Sequence, residues 1–246
     1  MRKRILLLPL LVAVLLTISV NAAHAGAFIL TLTDLDVPGS SVTINDDDLN
    51  DFNGSPDGIV FMGTVGSFDV QVFGTTWIPA PTGAPVQMDL SNFLISSSTG
   101  GRFTATLSRT GLASSLFSGP AVMGIANYGA TFATGTTGSV TFQSWLDPNN
   151  SGGPAGEPVH YDPSVISSNG GAPAPATSST VVLLPPPDSY LSVYSQLDFV
   201  IKGSGSLNAN TDVQVASVPE PTTLLLFGPG MLGLAAIRRR LRSKAL

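Results

Sequence analysis

Through the middle of the chain, apolar and polar residues alternate in short runs cut by Gly, Pro, Asn and Asp. Phe68, Val70 and Val72 alternate with Asp69 and Gln71, and Phe103, Ala105 and Leu107 with Thr104 and Thr106. A period of two gives an extended strand one apolar and one polar face, as in antiparallel sheets with one wet side. No stretch from Phe28 onward reads as a convincing amphipathic helix. Strands are predicted over Phe28 to Thr33, Ile59 to Met62, Phe68 to Phe73, Val86 to Ile95 and Phe103 to Leu107. Further strands follow over Gly124 to Phe132, Val140 to Leu146, Tyr190 to Ile201 and Ser206 to Val215. About nine strands punctuated this way predict an all-β fold, an antiparallel β-sandwich spanning residues 26–217.

The stretch 147–189 behaves differently, with Asn149-Asn150-Ser151-Gly152-Gly153-Pro154, Gly170-Gly171-Ala172-Pro173-Ala174-Pro175 and Pro185-Pro186-Pro187. That composition favours extended backbone, so it reads as a Pro/Gly/Ser-rich loop on one sandwich, holding a short strand at Val181 to Leu184. The alternative, two separate strand groups, leaves Tyr190 to Val215 with too few strands for a core of its own. No internal repeat is evident.

Both ends are apolar. Arg2, Lys3 and Arg4 lead into Ile5 to Ile18, then small and polar residues to Ala25, with Ala23-His24-Ala25 fitting the small-x-small cleavage rule. Residues 1–25 are predicted to be a helical secretory signal peptide cut after Ala25, with the Sec translocon and signal peptidase as partners; a retained anchor is the alternative. The chain has no Cys, hence no lipidated Cys and no disulfide.

The other end, 218–246, reads Val218-Pro219-Glu220-Pro221, then Thr222 to Ile237, then Arg238, Arg239, Arg240 and Arg242. Sixteen helical residues span about 24 Å against a hydrocarbon core of about 30 Å, a short transmembrane helix. Gly228-Pro229-Gly230 inside it predicts a kink. The arginines act as a stop signal held in the cytoplasm, which leaves the body across the membrane, in agreement with the signal peptide.

These three parts in this order resemble the PEP-CTERM sorting signal of Gram-negative bacteria, a segment also catalogued as an ice-binding-protein C-terminal domain. The resemblance implies recognition by an exosortase-type transpeptidase, cleavage near Pro219-Glu220-Pro221, and delivery to the cell surface or its exopolysaccharide matrix. Hydropathy alone would equally support a permanent C-terminal anchor. The strand arrangement from Phe28 to Arg109 is also loosely similar to β-rich PEP-CTERM exoproteins, a likeness that implies no activity.

Charge sharpens this picture. Eight of the eleven basic residues sit in the terminal segments, and Gly26 to Ser217 holds 15 acidic residues against 3 basic ones, a formal charge of −12. Nucleic acid is thereby excluded as an expected partner. The body has a single histidine, His160, and no cysteine, so a Cys nucleophile and a multi-His zinc site are ruled out. A Ser-His-Asp triad would have to use His160, and no Gly-x-Ser-x-Gly elbow accompanies it.

The densest polar cluster runs from Asn45 to Gly58. Calcium takes six to eight oxygens, and read as an EF-hand-like loop Asp46, Asp48 and Asn50 fill the first ligand positions and Asp57 the twelfth. Asp51 stands where that loop needs Gly, and a solvated Asx-turn connection accounts for the same residues. As a glycosidase pair, neighbours on one loop lack the separation across a cleft that the reaction requires. Trp77, Trp145, Tyr128 and Tyr161 are sugar-facing candidates that core packing explains as well. Ser and Thr make up 45 of the 192 residues from Gly26 to Ser217, and Thr31-Leu32-Thr33 and Thr104-Ala105-Thr106 would each project two hydroxyls from one strand face. Ice binding would need such pairs in a regular repeat, and β-propensity explains two of them. The expectation is an exported, non-catalytic surface or matrix protein. A calcium-, carbohydrate- or ice-binding module and an extracellular hydrolase are the alternatives.

Overall fold

The computed structural model describes residues 26–79, 84–117, 119–148, 150, 159–160, 163–170, 176–184, 187 and 189–218. The signal helix expected over 1–25 and the transmembrane helix expected over 222–237 lie outside them. Among the described residues no helix is long and apolar enough to cross a membrane.

Among the described residues thirteen strands form in chain order: β1 Phe28–Asp34, β2 Ser41–Asn45, β3 Gly58–Val65, β4 Phe68–Trp77, β5 Val86–Ser97, β6 Gly100–Ala113, β7 Ala121–Phe132, β8 Thr137–Asp147, β9 Val159–His160, β10 Ser164–Asn169, β11 Ala176–Leu184, β12 Tyr190–Lys202 and β13 Gly205–Val218. They build a seven-stranded sheet in the order β10-β8-β12-β6-β1-β2, with β9 also on β8, and a six-stranded sheet in the order β11-β7-β13-β5-β4-β3. Pairing is antiparallel within both sheets.

All nine expected strands are present, so the antiparallel sandwich is found with thirteen strands instead of about nine. The short strand expected at Val181 to Leu184 is the end of β11, and β11 lies at a sheet margin together with the three additions β2, β9 and β10. A marginal strand has less surface to cover, and its signal is short: β2 reads Ser-Val-Thr-Ile-Asn, five alternating residues that bury Ile44 alone. The stretch 147–189 is corrected accordingly, since its described residues supply strands to the margins of both sheets.

The inward faces interlock through aromatic rings. Phe103 and Phe199 from the seven-stranded sheet meet Phe68 and Phe93 from the other, with centroids 5.1 Å apart for Phe68–Phe103 and 4.9 Å for the stacked Phe93–Phe199. Tyr128 stacks on Phe142 at 5.1 Å in the same interlayer. One polar seam crosses the core, where Ser195 Oγ donates to Thr211 Oγ1 at 3.1 Å and lies 3.4 Å from Ser144 Oγ. Buried hydroxyls are tolerated when they satisfy one another.

A second tie joins the sheets at one end. Asp34, at the close of β1, is 2% exposed and accepts from Asp36 N–H at 2.9 Å, Val37 N–H at 3.2 Å, Ser67 N–H at 2.8 Å and Ser67 Oγ at 2.9 Å. Burial pushes its carboxyl up, and the summed bonds from Ser67, Asp36 and Val37 outweigh this and hold it below the usual range. Gly66 in the β3–β4 turn has φ +60°, and a Cβ there would lie 2.2 Å from Asp34 Oδ2. Only glycine serves both the turn and the approach.

Candidate functional site

The Asp-rich segment 45–58 folds as a connection in which carboxylates bond the segment's own N–H groups, while Asp46 Oδ1 is buried without a partner among the described residues. Asp48 accepts from Asn50 N–H at 2.6 Å, Asp51 from Asn53 N–H at 2.8 Å and Val60 N–H at 2.9 Å, and Asp46 from Asp57 N–H at 2.8 Å. These are Asx-type turns, in which a short carboxylate stands in for a backbone acceptor. The Asn50 N–H bond holds the Asp48 carboxyl low, whereas burial pushes Asp46 up. Asp57, at φ +65°, instead pairs with Arg109 NH1 at 2.8 Å. Of the four calcium candidates, Asp46, Asp48 and Asp57 therefore turn carboxylate oxygens to the chain's own donors, and Asn50 contributes its N–H. Among the described residues no group of three or more His, Cys, Asp or Glu side chains is placed to hold a metal ion.

Arg109 is 6% exposed and bridges from β6 to this loop, so it pins the loop across the end of the sandwich. Arg109→Ala should cost about 1–2 kcal/mol, because Asp57 is half exposed and can rehydrate. Amide hydrogen exchange over residues 46–57 should accelerate while the sheet interior keeps its protection; unchanged exchange would show that the ion pair does not hold the loop.

A different polar constellation lies on the outer face of the six-stranded sheet. Asp89 of β5 stands directly opposite Asp212 of β13, and Gln87 opposite Gln214. Asp212 accepts from Gln87 Nε2 at 2.9 Å, Gln214 Nε2 at 2.8 Å and Asn127 Nδ2 at 3.4 Å. Those amides fix the orientation of the Asp212 carboxylate. Among the described residues Asp89 receives no such donor, and burial followed by the Asp212 charge pushes it up to about 6. On its other side, Thr75 of β4 faces Asp89 across the strands and is buried, with its hydroxyl unpartnered. Trp77 occupies the next position of this face beside Gln87, half-buried, and Phe73, Leu94 and Met62 continue it as exposed apolar side chains. None of the six strands contains Lys, Arg or His.

Sequence reading missed this pair. Its signal is the mirrored spacing Gln87-x-Asp89 and Asp212-x-Gln214, which acquires meaning only once antiparallel register sets the two strands side by side. Among the aromatic candidates, Trp145 and Tyr128 are buried, Tyr161 lies outside the described residues, and Trp77 remains on this face. The two Thr-x-Thr pairs turn out to be neighbours on the opposite sheet, Thr31 against Thr106 and Thr33 against Thr104. Their hydroxyls are engaged locally, Thr33 with Ser41 at 2.9 Å and Thr104 with Asp198 at 2.8 Å. His160 pairs through its backbone with Trp145 at the margin of that sheet.

Fold and faces together define an all-β, two-sheet sandwich whose last strand, β13, pairs with β7 as far as Val218. Residues 217–240 match the family model of the PEP-CTERM protein-sorting motif, so the chain carries this sorting signal, which implies export and sorting to the cell surface. Of the residues predicted for sorting, Val218 closes β13. Pro219, Glu220, Pro221, Arg238, Arg239, Arg240 and Arg242, like Ala23 and Ala25 of the signal peptide, lie outside the described residues. No curated protein matches the chain. Among solved structures, it is similar to the enzymatically active domain of bacteriophage CBA120 tailspike protein 4 (14% identity, 70% of this chain and 20% of that one, TM-score 0.25). It is also similar to an arabinose-bound α-L-arabinofuranosidase (14%, 65% and 23%, TM-score 0.28) and to the family 11 carbohydrate-binding module of Clostridium thermocellum (14%, 69% and 95%, TM-score 0.27). The chain thus spans less than a quarter of the first two, and likeness at this level transfers no ligand or activity.

Proposed function

We propose that this protein is an exported, non-catalytic surface or exopolysaccharide-matrix protein of a Gram-negative bacterium, delivered by an exosortase-type transpeptidase that cuts near Pro219-Glu220-Pro221. The match of residues 217–240 to the sorting motif carries this reading. The place of the motif supports it: β13 ends at Val218, and its buried residues reach no further than Val215. A cut after Pro221 therefore removes none of the described strands. In this reading the segment 222–237 is a transient membrane span and Arg238 to Arg242 its stop signal. The non-catalytic part rests on the composition of the body, which has one histidine and no cysteine.

Intact-mass spectrometry of material recovered from the cell surface should show a chain beginning after Ala25 and lacking everything beyond Pro221. A surface pool that still carries Leu246 would sink the sorting claim in favour of a permanent anchor. Release of reducing sugar from matrix polysaccharide by the purified protein would separately overturn the non-catalytic reading.

A further inference from the structure

The outer face of the six-stranded sheet combines features that a structural surface has no need to bring together. Directly opposed carboxylates destabilise a strand pair, yet β5 and β13 place Asp89 and Asp212 in register. Three amide side chains converge on Asp212 and fix its orientation. Beside them, among the described residues, Asp89 has no hydrogen-bond donor and the buried Thr75 hydroxyl no partner. Along the same face run Trp77, Phe73, Leu94 and Met62, apolar side chains left half-buried or exposed. A groove of about 400 Å³ opens at its far end between Met62, Thr64, Asp69, Gln71, Leu94 and Ser96.

We propose that this face binds a neutral polysaccharide, with Asp212 and Asp89 accepting hydrogen bonds from sugar hydroxyls and Trp77 and Phe73 packing against the C–H faces of the rings. Sugar rings present both kinds of surface, hydroxyl edges that donate and accept and C–H faces that desolvate well on aromatic side chains. Hydrogen bonds to an ionised carboxylate are the stronger kind, and a donor-poor carboxyl such as Asp89 gains from a ligand that brings O–H groups. Charge selects among polymers. The face holds Asp69, Asp89 and Asp212 and no basic residue, so polyanions such as uronate polymers or nucleic acid are repelled. From Gln87 to Ser96, β5 runs about 30 Å at 3.3 Å per residue, room for an extended segment of several sugar units.

The test is affinity electrophoresis of the exported protein in gels containing hydroxyethylcellulose, mixed-linkage β-glucan, galactomannan or dextran, with alginate as the anionic comparison. Retardation by at least one neutral polymer and none by alginate is expected, weakened at least tenfold by Trp77→Ala and by Asp212→Ala. Phe73→Ala, which changes an exposed side chain, should weaken binding even if the other two variants fold poorly. Thr31→Ala with Thr106→Ala, on the opposite sheet, should leave it unchanged. The proposal is overturned if no neutral polymer retards the protein, if alginate does so alone, or if the Trp77, Asp212 and Phe73 variants bind like the parent. A rise in melting temperature with millimolar calcium, without retardation by any neutral polymer, would likewise overturn it and assign the carboxylate pair to a cation. Surface processing after Pro221 is read by mass and stands or falls separately.

Discussion

Replacing Asp34 by Ala is expected to lower the melting temperature by about 6–12 °C, a loss of about 3 kcal/mol in a chain of this size. The carboxylate is buried and gathers four hydrogen bonds, from Asp36, Val37 and the backbone and hydroxyl of Ser67. Ser67 belongs to the β3–β4 turn of the six-stranded sheet while Asp34 closes β1 of the other, so the substitution strips donors on both layers at once. Part-buried N–H groups that lose a charged acceptor forfeit the stronger kind of hydrogen bond. The sign of the pH dependence follows from the lowered carboxyl. A group depressed in the folded state contributes stability above its unfolded value of 3.8, and that contribution is lost as pH falls through the folded value. Melting curves of parent and Asp34→Ala should therefore lie far apart at neutral pH and converge below about pH 4. Curves that coincide at pH 7 would show that the Ser67 turn is held by other contacts.

Asp89 should behave in the opposite sense. Its carboxyl is raised from 3.8 to about 6 by burial and then by Asp212, so the folded state holds its proton more tightly than the unfolded chain does. Such a group costs nothing below pH 4, and stability falls as pH rises between about 4 and 6 and stays low above. Two units would correspond to about 3 kcal/mol at most, discounted to about 1–2 kcal/mol for partial contact with water. Asp89→Asn removes the charge and forfeits no donor, since none is bound. It should raise the melting temperature at pH 7.5 by about 2–8 °C and flatten the profile between pH 4 and 6. The titratable group facing it is Asp212, and the six-stranded sheet has no cation to offset the pair. An Asp89→Asn protein that melts at or below the parent temperature at pH 7.5 would refute uncompensated repulsion across this strand pair.

Much of the fold was legible in the chain because burial leaves a periodic trace. Strands with one covered face, such as Phe28–Asp34 and Gly205–Val218, show the alternation that their buried side requires. Ser41–Asn45 and Ser164–Asn169 leave little trace, since each buries a single apolar side chain, Ile44 and Ile166. The Asp-rich loop was conspicuous in sequence without revealing its arrangement, a run of Asx turns that leaves Asp46 Oδ1 without a partner among the described residues, because local turns and a calcium loop draw on the same residue types. The sorting signal was readable outright, since its parts are contiguous and need no folding to be recognised.

What the sequence determined by itself was the layer architecture, the acidic character of the body and the address at its end, all of them properties written in neighbouring residues. Tertiary structure alone decided that Asp89 meets Asp212, that Arg109 reaches Asp57, and that Asp34 ties one sheet to the turn of the other. Each of these joins residues 33 or more positions apart, and pairing at that range is set by sheet register and layer packing, which alternation within a single strand cannot encode.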